Sequence, residues 1–234
     1  MITFMKSKQD TNLFDQATDP EQYSKSAASW MADLDRQEKQ REQFWSGIRP
    51  YIPVHCRSIL DIGSGSGWSA DKSKAIGIEV WVGIEPSSSH FELASKLHPQ
   101  FEMEQKTFEL YETNLHFDCI LAIMVFSHIG NIPAAFKKIR DLLNPGGVFI
   151  SVLSAFHEGK DRYERRGRKY EVEVRDDDQY IDKSIEGYGI ADINRRPEYY
   201  VSKAEEAGLS LIKQDKIADS GYSAKDLLVF KRVS

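Results

Sequence analysis

The chain lacks several features that would each point to a class of protein. It has no apolar run near the ~20 residues of a membrane-spanning helix, and no apolar segment near its start like that of a secretory signal. Basic residues are not in excess, since the net charge is −5. We therefore expect a cytoplasmic protein, with no membrane and no general affinity for nucleic acid.

Cysteine is also scarce, with only Cys56 and Cys119 among 234 residues. Cys119 lies inside the apolar run FDCILAIMVF, which indicates a small buried side chain rather than a disulfide partner. The histidines, cysteines and carboxylates show no spacing typical of a metal site, so no metal is predicted.

The sequence does contain a regular alternation of apolar segments and helical patterns. Continuous apolar segments separated by helices are typical of a parallel sheet covered on both faces, which predicts an α/β domain. The predicted strands are Ser58–Ile62, Glu79–Ile84, Phe101–Gln105, Phe117–Val125 and Gly147–Leu153, and the predicted helices between them are Trp68–Ala75, Ser88–Leu97 and Pro133–Leu143.

Further elements are predicted on either side of this alternation. A helical pattern runs from Asp19 to Ile48, opened by a capping aspartate and a proline in the first turn. The chain closes with a predicted helix, Pro197–Ala207, and two predicted strands, Leu209–Gln214 and Asp226–Lys231. We expect these two strands to pair as an antiparallel hairpin.

Residues 155–196 interrupt the regular order. They are rich in charge and tyrosine, and the stretch KYEVEVR alternates apolar and polar residues. This alternation predicts a hairpin arm that turns at Gly167.

The first predicted strand runs into a glycine-rich loop, in the stretch SILDIGSGSGWSA. Gly63, Gly65 and Gly67 follow the strand and open a helix, which brings backbone N–H groups and a helix N-terminus close to a ligand. About twenty residues later Glu85 ends the next strand, where a carboxylate can accept hydrogen bonds from both hydroxyls of a ribose. Together these residues predict a nucleotide-type ligand.

Trp68 distinguishes this loop from the loop of the dinucleotide-binding fingerprint. That fingerprint, G-x-G-x-x-G, keeps its last glycine where helix and strand pack closely. Counted from Gly63, that place holds Trp68, whose indole does not fit there. The loop reads G-x-G-x-G instead, with Asp61 two residues before it.

With these residues the sequence resembles the class I S-adenosylmethionine-dependent methyltransferases. The resemblance rests on ILDIGSGSG, VGIEPS, FDCILAIMVFSHI and LLNPGGVFISV, and it covers residues 58–153. It implies a Rossmann-like seven-stranded sheet, mostly parallel, with an antiparallel C-terminal hairpin and helices on both faces. The predicted division is an N-terminal helical cap (1–57), a cofactor-binding core (58–154), a substrate-side insertion (155–196) and the C-terminal part of the core sheet (197–234).

The resemblance also implies which residues bind S-adenosylmethionine, with S-adenosylhomocysteine as the product. Those expected around the methionine part are Asp61, Gly63, Ser64, Gly65 and Gly67, with the backbone of Ala122 and Ile123 beside the amino group. Glu85 is expected to bind the ribose, and Pro86, Thr107 and Phe108 to lie near the adenine. At Thr107 and Phe108 the match is poor, because QKTFEL replaces the usual small acidic signature.

Fewer residues are candidates for contact with the methyl acceptor. His128, after the fourth strand, is the candidate base, since a histidine titrates near neutral pH; packing within the loop is the alternative. Tyr23, Tyr170 and Tyr188 are candidates for substrate binding.

Several functions remain open at this point. The basic run near residues 160–175 would suit RNA or a protein substrate, although acidic residues interleave with it. No N/D-P-P-Y/F motif follows the fourth strand and no cysteine follows a proline, which disfavours methylation of DNA amino groups, glutamine or pyrimidine C5. We therefore expect methyl transfer to an O or N atom of a small molecule. The alternatives are an RNA or protein methyltransferase and a non-catalytic S-adenosylmethionine-binding protein.

Overall fold

A computed structural model of the chain describes residues 34–153, 162–165, 168–174, 180–184, 192–219 and 222–233. Between residues 162 and 194 it describes the backbone of the strands alone. The first part of the predicted N-terminal helix, residues 19–33, lies outside these ranges, and so do Tyr23, Gly167 and Tyr188.

Helices and strands alternate through residues 34–153 largely as predicted. The described helices are α1 (Leu34–Ile48), α2 (Trp68–Ala75), α3 (Ser88–Leu97), α4 (Ile132–Leu142) and α5 (Pro197–Glu206). The described strands are β1 (Ser58–Ile62), β2 (Val80–Ile84), β3 (Glu102–Glu104), β4 (Phe117–Ile123), β5 (Leu143–Leu153), β6 (Arg162–Arg165), β7 (Arg168–Val174), β8 (Tyr180–Ser184), β9 (Asp192–Asn194), β10 (Leu209–Asp219) and β11 (Tyr222–Arg232).

Seven of these strands form one sheet in the order β3-β2-β1-β4-β5-β11-β10. Strands β1 to β5 pair in parallel, and β11 runs antiparallel to both β5 and β10. The strand order reverses between β1 and β4, so the carboxyl ends of these strands flank a crevice where α/β sheets bind ligands. The predicted fold class is confirmed.

Both faces of this sheet are buried, and successive residues of a strand enter opposite cores. In β4, Ile120 belongs to the core on one side, together with residues of α4 and α5. Its neighbours Cys119 and Leu121 belong to the core on the other side, together with residues of α1. Cys119 is fully buried, as its place in an apolar run predicted.

Several strands differ from their predicted bounds, and for β4 and the closing hairpin the reason is identifiable. β4 ends at Ile123 rather than Val125, because Met124 adopts a left-handed backbone with φ of 62°. The closing hairpin is longer than predicted, since pairing continues to Asp219 and Tyr222. The sequence did not indicate this extension because β10 contains many polar residues, which are tolerated in this edge strand since most of its side chains are exposed or half-buried.

A second, antiparallel sheet of four strands, β6-β7-β8-β9, lies within residues 155–196. Arg165 pairs with Arg168, so β6 and β7 form a hairpin where one was predicted. The candidate Tyr170 lies in β7 and pairs with Tyr163. The division of the chain into cap, core and insertion stays a prediction. Among the residues with a described conformation, no helix is long and apolar enough to cross a membrane.

Candidate active site

The glycine-rich loop lies at the carboxyl end of β1, between the ends of β2 and β4. Gly63, Gly65 and Gly67 have φ values of 64°, 57° and 73°, a left-handed conformation that favours glycine at each position. The Ser64 N–H donates a 3.0 Å hydrogen bond to the carbonyl of Ile84, which ties the loop to β2. On its other side, a Cβ added to Gly63 would lie 2.5 Å from a methyl group of Val125, so the segment after β4 abuts the loop.

Glu85 closes this loop from the end of β2. Its carboxylate is 4% exposed and accepts 2.9 Å hydrogen bonds from the N–H groups of Gly65 and Ser87. Burial raises the pKa of Glu85 to about 7, against the two backbone hydrogen bonds, which lower it. A carboxylate has about four lone-pair positions, so two remain for further donors such as a ribose diol.

Asp61, at the end of β1, has a different set of partners. It is 2% exposed and accepts a hydrogen bond from the Ser69 hydroxyl, which in turn accepts one of 3.0 Å from the indole N–H of Trp81. Burial raises the pKa of Asp61 to about 7, and the charge of Glu85 adds to the rise. This chain of bonds fixes the first turn of α2 against β1 and β2.

The three glycines differ in what lies beside them. A Cβ on Gly67 would meet the His98 ring at 2.9 Å, whereas a Cβ on Gly65 would meet nothing within 4 Å. Trp68, the next residue, is the first of α2 and is partly buried against the core. The open space beside Gly65, whose N–H bonds to Glu85, is therefore the part of the loop available to a ligand.

Arg41 brings α1 to the same loop, and the sequence analysis missed it. Its guanidinium donates a 3.0 Å hydrogen bond to the Ser66 hydroxyl and a 2.9 Å bond to the side chain of Gln37. Burial lowers the pKa of Arg41. No local motif marks this arginine, because its place depends on how α1 packs against the sheet.

The predicted adenine-binding turn follows β3. The Thr107 hydroxyl is buried and has no hydrogen-bond partner among the described residues, so its hydrogen-bonding capacity is unused. Phe108 instead lies in the hydrophobic core, with the Lys138 ammonium 5.1 Å from its ring centroid. This position favours a packing role for the Phe108 side chain. Pro86 is half-buried beside Glu85, at the entrance to α3.

The segment after β4 contains the candidate base. Ala122 is fully buried and its carbonyl accepts a 3.2 Å hydrogen bond from the Ser151 hydroxyl. Ile123 is half-buried, and the strained Met124 follows it. Strain of this kind clusters at functional sites. His128 ends a short 3₁₀ turn, Phe126–His128, and its N–H donates a 2.8 Å hydrogen bond to the Val125 carbonyl.

This constellation is a buried carboxylate pair beside an open glycine loop, with a histidine on the neighbouring segment. A family model described as a methyltransferase domain matches residues 21–194. The chain belongs to this family. The predicted resemblance to class I S-adenosylmethionine-dependent methyltransferases is therefore confirmed.

Individual relatives match shorter stretches of the chain. A ubiquinone biosynthesis O-methyltransferase of Bradyrhizobium sp. is 31% identical over 97 residues, which are 39% of this chain and 38% of the relative. A tRNA U34 carboxymethyltransferase of Campylobacter fetus is 27% identical over 151 residues, 62% of this chain and 53% of the relative. The matched stretches thus span about half of these curated relatives or less.

A solved structure of low identity has the same fold. The SAM-bound amino pentose methyltransferase CalS10 from Micromonospora echinaspora has a TM-score of 0.63 and 16% identity, with 88% of this chain and 97% of that chain covered. Among the residues with described side chains, no group of three or more histidine, cysteine or acidic residues is placed to hold a metal ion.

Proposed function

We propose that this methyltransferase transfers the methyl group of S-adenosylmethionine to an O or N atom of a small molecule. The observation that carries the cofactor assignment is the pairing of the Gly65 N–H with the Glu85 carboxylate, which keeps two acceptor positions beside open space. The proposed cofactor-binding residues are those predicted from the sequence, with Arg41 added.

Each residue would hold a different part of the cofactor. Glu85 would accept from the ribose hydroxyls, as a charged acceptor that binds them more strongly than a neutral one. Gly65 would let the chain approach the methionine part without a side chain between them. The unpartnered Thr107 hydroxyl would bind the adenine edge.

When bound, S-adenosylmethionine supplies a sulfonium methyl group that is already activated toward nucleophiles. The protein then needs to align the acceptor lone pair with the methyl carbon and the S–CH₃ bond that breaks, which is mainly a task of positioning. His128 would take the proton from an acceptor that must lose one. Its N–H bonds to the carbonyl of Val125, whose side chain abuts Gly63, and this proximity to the loop supports the assignment.

The support for a small-molecule acceptor is less direct than the support for the cofactor. The Bradyrhizobium relative is named as an O-methyltransferase of ubiquinone biosynthesis, and CalS10 as an amino pentose methyltransferase. The negative net charge of −5 agrees with a small acceptor better than with a nucleic acid. The Campylobacter relative, named as acting on tRNA, keeps RNA as the alternative to be tested.

An assay with methyl-labelled S-adenosylmethionine tests the proposal. The protein is incubated with a panel of phenols, catechols, amino sugars and amines, and in parallel with total RNA and a protein extract. We expect label in at least one small molecule, loss of activity in Glu85→Ala, and retained activity in Glu79→Ala, an exposed carboxylate at the other end of the sheet. Label in RNA alone, abolished at raised salt, would overturn the small-molecule assignment.

A further inference from the structure

Arg195 is buried between the second sheet and the core. It directly follows β9 and precedes α5, and only 2% of its surface is exposed. Strand β9 lies against the 3₁₀ turn that ends at His128. The guanidinium thus occupies the junction between residues 192–194 and the segment after β4.

The hydrogen bonds of Arg195 run to the two residues that follow His128. Its two terminal nitrogens donate 3.4 Å hydrogen bonds to the carbonyls of Ile129 and Gly130. The guanidinium also lies beside the side chain of Tyr200 and 5.4 Å from the ring centroid of Tyr199.

Tyr200 packs against the first residue of the same turn, Phe126. Its ring meets Phe126 edge to face, with ring centroids 5.7 Å apart. Phe126 is fully buried and is the first residue of the 3₁₀ turn. One network therefore fixes both ends of residues 126–130, with His128 between them.

Among the described residues, Arg195 contacts two backbone carbonyls and two tyrosine side chains. Among the residues with described side chains, no carboxylate lies within ion-pair distance of Arg195, and its Nε makes no hydrogen bond. The planar guanidinium holds its N–H donors in a fixed geometry, so it orients the two carbonyls at once.

We propose that Arg195 is a positioning residue for the acceptor site: it fixes residues 126–130 so that His128 faces the transferred methyl group. The inference rests on the proposed function, because it takes the segment after β4 to be the acceptor side of the site. It adds a contribution from the junction of β9 and α5, far in sequence from the glycine loop.

The test uses full-length protein with ¹³C-labelled histidine, saturated with S-adenosylhomocysteine. The ring signal of His128 is assigned by its loss in His128→Gln. In Arg195→Met, which keeps the length of the side chain but removes its donors, we expect this signal to shift or split. The dissociation constant of S-adenosylhomocysteine, measured by calorimetry, should stay within about twofold of wild type, since Arg195 does not contact the glycine loop.

Two further variants complete the design. Arg57→Met removes an exposed guanidinium at the opposite end of the sheet and should leave the His128 signal unchanged. Arg195→Lys keeps the charge without the planar array of donors, and its His128 signal should lie between those of wild type and Arg195→Met. If Arg195→Met does not fold, the His128 signal of Arg195→Lys tests the positioning role in its place. With any acceptor that is turned over, kcat should fall about 10- to 100-fold while KM changes little.

The failure of this inference is distinguishable from that of the proposed function. An unchanged His128 signal in Arg195→Met, with S-adenosylhomocysteine still bound, would overturn the positioning role. Absence of binding by the wild type would overturn the cofactor assignment instead.

Discussion

The backbone N–H of Gly65 donates a 2.9 Å hydrogen bond to the Glu85 carboxylate, across the gap between the ends of β1 and β2. This bond joins the two sequence motifs that point to a nucleotide-type ligand. It also orients the carboxylate beside the open space at Gly65, so little rearrangement is needed on binding. Preorganisation of this kind lowers the entropic cost of binding.

Gly65 and Gly77 form a matched pair for mutation. Both have positive φ and open space around an added Cβ, but Gly77 lies between α2 and β2, away from the carboxyl ends of the strands. We expect either alanine variant to lose ~1–2 kcal/mol of stability from the left-handed backbone. Only Gly65→Ala should also weaken binding of S-adenosylhomocysteine, by about tenfold or more, because its methyl group would occupy the ligand's space. Equal dissociation constants for the two variants in calorimetry would refute the assignment of that space.

The ligand-free protein should become less stable as pH rises from 5 to 8. Burial raises the pKa values of Asp61 and Glu85 to about 7, from ordinary values of 3.8 and 4.5. Between pH 4.5 and 7 the folded state therefore binds more protons than the unfolded state, and the free energy of unfolding falls with pH. For Glu85 alone the effect is at most about 3 kcal/mol. Urea unfolding at a series of pH values measures it.

The Glu85→Gln variant isolates this contribution from other titrating groups. Its free energy of unfolding should fall less steeply than that of wild type over the same pH range, because the amide does not ionise. Parallel curves for the two proteins would show that Glu85 does not titrate near pH 7.

Thr107→Val tests the predicted adenine contact. The threonine hydroxyl is buried without a partner among the described residues, so its replacement by a methyl group should leave the melting temperature unchanged or raise it. Affinity for S-adenosylhomocysteine should fall about 3- to 10-fold through the lost hydrogen bond. A lower melting temperature with unchanged affinity would assign Thr107 to the fold alone.

Arg41→Met tests the contribution of α1. Loss of the bond to Ser66 removes a support of the glycine loop, while methionine retains most of the apolar contacts. We expect S-adenosylhomocysteine to bind about tenfold more weakly, consistent with one lost charged hydrogen bond. Arg57→Met serves as the control and should bind as wild type does. The same affinity in both variants would remove Arg41 from the site.

Much of the fold was predictable because its signals are local. Both faces of the sheet are buried, so β1, β2, β4 and β5 are mostly apolar and stand out in the sequence. The glycine loop and Glu85 were recognisable for a similar reason. A positive φ favours glycine, and a carboxylate at the end of a strand must be Asp or Glu, so each requirement appears in the sequence as a particular residue type at a fixed spacing.

Other features depend on contacts between distant segments, which no spacing reveals. Arg41 contacts the glycine loop only through the packing of α1, and Arg195 contacts the segment after β4 only through the junction of β9 with α5. The left-handed Met124 has no local signal, because methionine is not typical of that conformation. Phe108 matched the adenine position by counting, yet its ring packs in the core.

The most direct test of the central claim is calorimetric titration of wild type, Glu85→Gln and Glu79→Gln with S-adenosylhomocysteine at pH 8. At this pH the Glu85 carboxylate is mostly ionised, since its pKa is about 7. We expect the wild type and Glu79→Gln to bind equally, and Glu85→Gln to bind more weakly by about 1–3 kcal/mol. Equal affinity of all three proteins, or binding of NAD in place of S-adenosylhomocysteine, would contradict the account.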